Sequence, residues 1–588
     1  MRRARPAVPV IAAFFLLVAF AVPAAADHTD PTSPLAPTDG IAADGRATGA
    51  GAWEHLQHFP PNPGSDLWFF EKDGATYASG GTLGQGDEGH VGQRIVQLLD
   101  GDGELDVRWV ADHGSANCPT ANPAGTLGLQ HDVEPVPLTE PELLVDATDA
   151  TGRCHDPAGG GIEIVDVSGL GEEGFEVREL HLVRFPGTTH TLTVDQERPW
   201  IVYSNNSDSS NRNWVDFMDL RSCLTAASGG TMPEGLSLED KRAHCAPDVY
   251  RIPFEDHWTQ QTTTEDGEPS GGSASCHDST SVGDRLYCSG LKGEVILDVA
   301  GLVDGDGDLH PDSVPLACTT ADGTLTGANV TNCAMHTSKG SAFAAGWELV
   351  GFFNHVGTTA GNTNHNVSAD RGVAVSHQSV PTPQEVGDYL IVSDERGGGV
   401  VPPGASCAPG IDNPYGNGGL HFFDISDPAA IAHAPLSGTG GEQPAVWIGD
   451  VIVPAPSFCT VHVFHHVPDE QRLIMGYYSQ GIKVLDYHVE EDGLRFEEIA
   501  SYVLPGANTW VANFFKITDN ADGTRTYHLM TNDIQRGMDV VSWTGPTNPI
   551  PGDDDGRGWL PRSRSAWRSQ SGPPRPSSSP GIGLVGPV

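Results

Sequence analysis

The chain has 588 residues, with 72 glycines, 45 prolines and a net charge of −45. This length exceeds what one ordinary hydrophobic core supports, and the many turn-forming residues indicate short strands joined by tight turns. The strongly negative charge excludes nucleic acid and anionic membranes as partners and suits a protein that meets cations.

The N-terminal segment, 1–26, has the composition of a secretion signal. A basic start with Arg2, Arg3 and Arg5 precedes an apolar run over 8–22, and 24–26 form an A-x-A cleavage site. The apolar run is too short to anchor the chain, so we predict a secreted protein with no membrane span after signal cleavage. We expect a signal peptide (1–26), a flexible lead-in (27–52), a repeat region (53–545) and a disordered tail rich in Pro, Gly, Ser and Arg (546–588).

A short motif recurs through the repeat region. It consists of a glycine and then an apolar stretch that ends in aspartate five residues on. It occurs at 161–166, 293–298, 419–424 and 481–486, with looser copies at 94–100, 214–219 and 537–542. Such repetition, without a sustained helical period, favours an all-β repeat fold. We predict a seven-bladed β-propeller with long loop insertions; six blades is the alternative if the first or seventh unit is only edge structure. We expect each closing aspartate to cap the turn that follows it.

Five histidines precede an apolar strand in five of the repeats, namely His131, His190, His277, His365 and His462. Equivalent positions in a propeller lie around its central axis, so these side chains are expected to converge. Three interpretations stay open. The histidines bond the backbone of a neighbouring blade, they bind copper, iron or zinc, or they line a pocket for an organic ligand. Asp132 and Asp278 each follow one of them and would orient its ring.

Other histidines lie off this register. We predict that most of them are loop residues, and that His465 or His466 alone could reach the same position; the set is His336, His355, His377, His465 and His466.

Two acidic loops follow closing aspartates. One contains Asp304, Asp306, Asp308 and Asp312, and the other spans 100–106. Alternating carboxylates on a tight loop suit calcium, although neither loop has the glycine and distal glutamate of an EF-hand. The alternative is a solvated acidic turn.

The ten cysteines are consistent with an oxidising compartment. Sequential pairing is the simplest expectation among many connectivities, and it gives Cys118–Cys154, Cys223–Cys245, Cys276–Cys288, Cys318–Cys333 and Cys407–Cys459.

The repeat of histidine, strand, turn and closing motif, with Ile-Val-Asp-Val-Ser at 164–168 and Asp-Ile-Ser-Asp-Pro at 424–428, resembles the LVIVD-repeat proteins. These are secreted bacterial propellers that include the "choice-of-anchor B" group, and the resemblance covers roughly 60–545. It implies the propeller fold, and the function of the family is largely uncharacterised. Our first hypothesis is an extracellular binding or surface scaffold for an unknown extracellular ligand, which metal ions could stabilise. The alternative is a metalloenzyme, an oxidase or hydrolase, with a histidine-bound metal at the channel mouth. A carbohydrate-active propeller would need a carboxylate pair that no motif indicates.

Overall fold

The computed structural model describes residues 45–59, 64–82, 93–101, 104–113, 129–149, 161–185, 189–205, 214–254, 276–290, 293–322, 329–333, 343–354, 376–395, 419–427, 432–433, 445–446, 460–490 and 493–550. The predicted signal peptide and nearly all of the predicted tail lie outside these residues. None of the helices in the described ranges is long and apolar enough to cross a membrane.

The described strands form seven sheets, each one blade of a propeller. The first two strands, β1 (Arg46–Gly49) and β2 (Ala52–His58), belong to the last two blades. Blade one contains β3 (Gly64–Lys72), β4 (Ala75–Thr82), β5 (Gln93–Gly101) and β6 (Glu104–His113). Blade two contains β7 (Leu129–Val136), β8 (Leu143–Asp149), β9 (Gly161–Asp166) and β10 (Arg178–Arg184). Blade three contains β11 (Leu192–Val194), β12 (Ile201–Ser204), β13 (Trp214–Asp219) and β14 (Asp248–Pro253).

Blade four contains β15 (Asp278–Val282), β16 (Arg285–Ser289) and β17 (Gly293–Asp298). An insertion, β18 (Thr319–Asp322) and β19 (Asn329–Asn332), extends blade two before β20 (Glu348–Asn354) completes blade four. Blade five contains β21 (Ser376–Pro381), β22 (Tyr389–Asp394), β23 (Gly419–Asp424), β24 (Ala432–His433) and β25 (Ala445–Val446). Blade six contains β26 (Phe464–His466), β27 (Arg472–Gly476), β28 (Ile482–Glu490) and β29 (Gly493–Val503), with β1 at its outer edge. Blade seven contains β30 (Thr509–Asp519), β31 (Thr524–Asp533) and β32 (Gly537–Pro546), with β2 at its outer edge. The prediction of a seven-bladed propeller is confirmed.

The blades close into a ring through their innermost strands and their hydrophobic faces. The first strand of one blade contacts the first strand of the next, and β30 of blade seven contacts β3 of blade one. Between blades five and six, the amide of Phe464 on β26 donates to Gln378 Oε1 on β21 at 2.9 Å. Separate clusters of buried apolar side chains fill the spaces between blades one and two, four and five, five and six, six and seven, and seven and one, while one larger cluster spans blades two to four. Each blade therefore packs only on its neighbours, which explains how so long a chain avoids a single large core.

The sequence motif is the third strand of each blade. Its glycine is needed where the chain turns into that strand, because Gly419 and Gly481 have φ values of 101° and 70°, a region that side chains with a Cβ rarely adopt. Four of its aspartates cap the next turn, as predicted, namely Asp166, Asp219, Asp298 and Asp424. The carboxylate of Asp166 accepts from the amide of Ser168, and that of Asp424 accepts from the amide of Ser426, both at 3.0 Å. For Asp486 the prediction was wrong, because this residue lies within β28 and accepts from Arg472 at 2.7 Å.

The insertions are held by disulfides. A segment after blade three's third strand forms two short 3-10 helices (Arg221–Cys223 and Ala226–Ser228) and α1 (Leu238–His244), and a third 3-10 helix (Ala300–Leu302) follows β17. Three predicted disulfides are confirmed, namely Cys223–Cys245, Cys276–Cys288 and Cys318–Cys333. The cysteines of the other two predicted pairs lie outside the described residues.

Both predicted flanking segments contribute to the propeller. The lead-in was expected to extend to residue 52, but β1 pairs with β29 and β2 pairs with β32. At the other end, Ile550 is buried and its amide donates to the carbonyl of Asp469, so the first residues of the predicted tail pack on blade six. The propeller therefore includes β1 and the start of β2 before the predicted repeat region, and Ile550 after it packs on blade six.

Candidate metal centre

Four histidines from four consecutive blades stand where the innermost strands begin. His190 precedes β11, His277 directly precedes β15, His377 is the second residue of β21, and His462 precedes β26. Three of them form the same kind of backbone bond, in which their own amide donates to a carbonyl at the end of the second strand of the blade. These bonds are His190 to Asn205 (2.7 Å), His277 to Ser289 (2.6 Å) and His462 to Gly476 (3.1 Å). The repeated backbone geometry brings equivalent side chains to one place.

The four imidazoles form a continuous buried row. The ring centroids of His190 and His277 are 4.5 Å apart, those of His277 and His377 are 4.7 Å apart, and those of His377 and His462 are 3.9 Å apart. The residues are only 9, 4, 2 and 1% exposed in chain order. We call these four residues the axial histidines.

Two groups of potential ligand atoms occur within this row. One nitrogen each of His190, His277 and His377 lie within 4.8 Å of one another, and so do ligand atoms of His377, His462 and Glu395. An ion about 2 Å from each nitrogen separates its ligand atoms by about 3 to 4 Å, so small ring rotations suffice to coordinate one. Among the described residues these are the only groups of three or more His, Cys, Asp or Glu side chains that converge so closely.

Glu395, which directly follows blade five's second strand, is held by a tyrosine. The hydroxyl of Tyr478 donates to its Oε1 at 2.5 Å, and His462 Nε2 lies 3.9 Å from the same oxygen. Tyr478 is fully buried and has a φ of 41°, an unusual backbone for a bulky residue. The indole of Trp510 packs on His462 with ring centroids 3.9 Å apart. Blade seven thus supplies tryptophan where blades three to six supply histidine.

A small cavity opens beside the axial histidines, and carboxylates surround it. Its lining includes Asp66, Asp132 and Asp278, together with Thr191, Val463, Trp510, His377 and His462. Asp132 accepts from the backbone amides of Val133 (2.8 Å) and Leu192 (3.1 Å), and Asp278 accepts from the amide of Ser279 (2.7 Å). The bond from Leu192 to Asp132 joins the innermost strands of neighbouring blades. A direct bond from either aspartate to a histidine, as we expected, stays a prediction.

The structure brings together only part of the predicted histidine set. His190, His277 and His462 converge. His131 is the third residue of β7, but its side chain lies outside the described part of the structure, and His365 lies outside it altogether. His377 is off the sequence register, yet it belongs to β21 and completes the row. The spacing to the second strand could have identified it. In blades three, four and six the second strand begins shortly after the axial histidine, and β22 begins at a similar spacing after His377. His365 lies much further from β22 in the sequence.

The remaining histidines differ in their roles. His465 and His466 also lie in a strand, β26, rather than in a loop, and His466 hydrogen-bonds the hydroxyl of Tyr487. Burial lowers the pKa of His466 to about 4, so it is neutral at physiological pH. His336 and His355 lie outside the described residues.

The first acidic loop is organised by its own backbone. Asp304 Oδ1 accepts from the amides of Asp306 (3.0 Å) and Asp308 (3.3 Å), while Asp308 pairs with Arg221 at 2.6 Å. Asp312 takes part in a bond within the loop, since its amide donates to His310 Nδ1 at 3.2 Å. Calcium binding by Asp304, Asp306, Asp308 and Asp312 stays a prediction. The carboxylates of the second loop lie outside the described side chains.

Comparisons with known proteins give no family. No family model matches the chain, and no curated protein matches it. The LVIVD-repeat resemblance therefore stays a prediction. Among solved structures, the chain is similar to a putative 6-phosphogluconolactonase from Bacteroides fragilis (11% identity, 81% of this chain and 97% of that chain, TM-score 0.38). It is also similar to the β-propeller domain of Cps50 (Swd1) from Myceliophteria thermophila (9% identity, 84% and 99%, TM-score 0.35).

Proposed function

We propose that this protein is a secreted propeller that binds one transition-metal ion at its axis, through His190, His277 and His377. The observation that carries the proposal is the row of four buried imidazoles, each from a different blade, with neighbouring ring centroids 3.9 to 4.7 Å apart. Neutral imidazole is the commonest protein ligand of zinc, copper and iron.

The surroundings favour a cation. Bringing a divalent ion into a buried site is costly unless nearby negative charge compensates for it. Three carboxylates, those of Asp66, Asp132 and Asp278, line the cavity beside the histidines, and Glu395 lies against His462. The cysteines of the described residues are all in disulfides, which leaves histidine and carboxylate as the donors. This donor set suits zinc, copper or iron.

The biological role that we propose first is metal-stabilised binding of an extracellular ligand. The predicted signal peptide and the three disulfides support secretion. The ion would join neighbouring blades across the channel, so its removal would loosen the surface that those blades present. Mass spectrometry of the secreted chain should find a mature N-terminus at Asp27.

The second candidate is a metalloenzyme of the oxidase or hydrolase type. The cavity beside His377 and His462 favours it, because a catalytic ion needs an open position for substrate or water. A protein substituted with Co²⁺ distinguishes the two roles. A change of its visible absorption on addition of azide indicates an exchangeable position, whereas an unchanged spectrum indicates a closed, structural site.

The proposal is tested by metal analysis of protein purified without chelators or a histidine tag. We expect one equivalent of a transition metal in the wild type, its loss in His277→Ala, and full retention in His488→Ala, whose histidine lies half-buried at the outer part of blade six. Thermal unfolding of metal-free samples checks that His277→Ala is folded. A wild type without transition metal, or a variant that retains it, would contradict the proposal.

A further inference from the structure

Each of the four strands of blade two buries at least one carboxylate, in an order that leads outward from the propeller axis. Strand β7 buries Glu134 as well as Asp132, and Glu134 accepts from the amide of Val194 at 2.9 Å. Asp132 lies on β7, Asp146 on β8, Glu163 on β9 and Glu179 on β10. They are 3, 0, 0 and 2% exposed. Burying even one ionised carboxylate costs several kcal/mol unless a cation or several donors compensate for it, so Asp146, which has no donor among the described residues, calls for a physical explanation.

Three of these carboxylates point into the space between blades one and two. Leu144 and Val165 pack there against Phe70 and Tyr77 of blade one. Side chains two residues apart on a strand share a face, which places Asp146 beside Leu144 and Glu163 beside Val165. Asp146 and Glu163 are also direct cross-strand partners, and Glu179 is paired with Val165. The three acidic side chains therefore share one interblade space.

Several buried oxygen atoms that face this space, those of Asp146, Thr148 and Gln93, lack hydrogen-bond partners in the described structure. Neither carboxylate oxygen of Asp146 has a donor there, and the hydroxyl of Thr148, on the same face of β8, has no partner. From blade one, Gln93 lies two residues from Ile95, which belongs to this cluster. The amide nitrogen of Gln93 donates to Ser79, but its Oε1 has no donor among the described residues. Gln93, Asp146 and Thr148 are all fully buried.

The electrostatics agree with the hydrogen bonding. Burial raises the pKa of Asp146 well above its usual range, and the charges of Glu163, Asp132 and Glu179 raise it further. The interblade space thus contains an excess of oxygen acceptors and negative charge around Asp146, which either protons or a bound cation must balance.

We propose that the space between blades one and two is a Ca²⁺ site, with Asp146, Glu163 and Glu179 as anionic ligands and Gln93 and Thr148 as neutral ones. A mixture of carboxylate, amide carbonyl and other neutral oxygens without nitrogen is the donor set of calcium. Magnesium is less suited, because it keeps several waters that a fully buried space cannot admit. The acidic side chains are spread more widely than the axial ligands, so the ion draws them together by rotation about their side-chain bonds.

The site is independent of the axial histidines and of the acidic loop at 304–312. It would join the first two blades of the propeller at an interface whose apolar cluster is small. Bound calcium would therefore act on stability, and a variant that fails to bind it would keep the transition metal at the axis.

The test uses full-length secreted protein, freed of metal with EDTA and titrated with Ca²⁺ while thermal unfolding is followed. We expect Ca²⁺ to raise Tm of the wild type by several degrees, in a concentration-dependent manner. Asp146→Asn should lose this response, and Asp522→Asn, the matched change in the exposed turn before β31, should keep it. No response of the wild type, or a response that Asp146→Asn keeps, would overturn the proposal.

A second variant covers the case in which Asp146→Asn does not fold. Thr148→Val preserves shape and charge but removes one oxygen, and we expect Ca²⁺ affinity measured by calorimetry to fall several-fold. An unchanged affinity would show that calcium binds elsewhere and would likewise overturn the proposal.

Discussion

Blades two and seven each bury a carboxylate completely, but their surroundings are opposite. In blade seven, Asp539 accepts two bonds from Arg536 at 2.9 Å and one each from His55 and His58 at 2.8 Å. In blade two, Asp146 has no donor in the described structure. Burial alone would raise the pKa of Asp539, but the bonds from His55, His58 and Arg536 lower it below its usual range, whereas the pKa of Asp146 is raised. A carboxylate whose partners come from the protein serves the fold, and one without such partners indicates a ligand.

The largest loss of stability should come from removing Arg536, which pairs with the buried carboxylate of Asp539. Arg536→Leu leaves the buried charge of Asp539 without its guanidinium, and we expect a loss of about 3–5 kcal/mol in the free energy of unfolding, measured with urea at pH 7. Arg495→Ala removes an exposed pair with Glu490 and should cost less than about 1 kcal/mol. Similar losses in both variants would remove the distinction drawn between buried and exposed pairs.

The next effect is the pH dependence of stability that arises from His181, which lies on the other face of blade two. Burial lowers the pKa of His181 to about 4, while its ring bonds the hydroxyl of Thr331 at 2.7 Å. The unfolded chain takes up a proton near pH 6.5 and the folded chain does not, so stability falls as pH drops from about 6.5 to 4. The contribution of this one residue is at most about 3 kcal/mol. Unfolding of His181→Gln should depend less on pH in this range than that of the wild type, and equal slopes would argue against a neutral buried His181.

Asp146 should give the opposite pH dependence in calcium-free buffer. Its raised pKa means that the folded chain keeps a proton that the unfolded chain has lost, so stability falls as pH rises above about 3.9. At pH 8 we expect Asp146→Asn to be more stable than the calcium-free wild type by about 1–3 kcal/mol, because a buried charge is removed. A destabilised variant would mean that the carboxylate has donors that Asn cannot replace.

The smallest loss of stability is expected at Glu395, whose carboxylate accepts a hydrogen bond from a neutral donor, the hydroxyl of Tyr478. Tyr478→Phe removes the hydroxyl that bonds Glu395, and we expect a loss of about 1–2 kcal/mol in the metal-free protein, measured by urea unfolding. A change within experimental error would show that this bond contributes little and that Glu395 is held by other contacts.

The sequence predicted the propeller because its signal is local and repeated. Most third strands have a glycine at the start and a turn-capping aspartate at the end, so the motif counts blades directly. Ser542 replaces the aspartate in the seventh copy, where β32 continues past it to Pro546. His190, His277 and His462 were found for the same reason, as they recur in register.

The missed residues depend on contacts that have no local pattern. Glu395 reaches the axis from the end of a second strand, and Tyr478 meets it from another blade. The buried carboxylates of blade two stand in alternating strand sequence, where Asp146 and Glu163 look like ordinary polar positions. Strands β1 and β2 carry no copy of the motif, because they complete blades whose other strands lie near the opposite end of the chain.

That distant pairing also determines when the molecule can become complete. The segment 46–58 is synthesised early, whereas its partner strands β29 and β32 are synthesised near the end of the chain. Until then β1 and β2 have no partner strands, and a chain released too early would expose their unpaired backbone to other chains. Once both strands are in place, the beginning of the chain overlaps its end across two adjacent blades. Opening the ring then requires β1 and β2 to separate from two different sheets, which should slow unfolding and protect the protein from proteases.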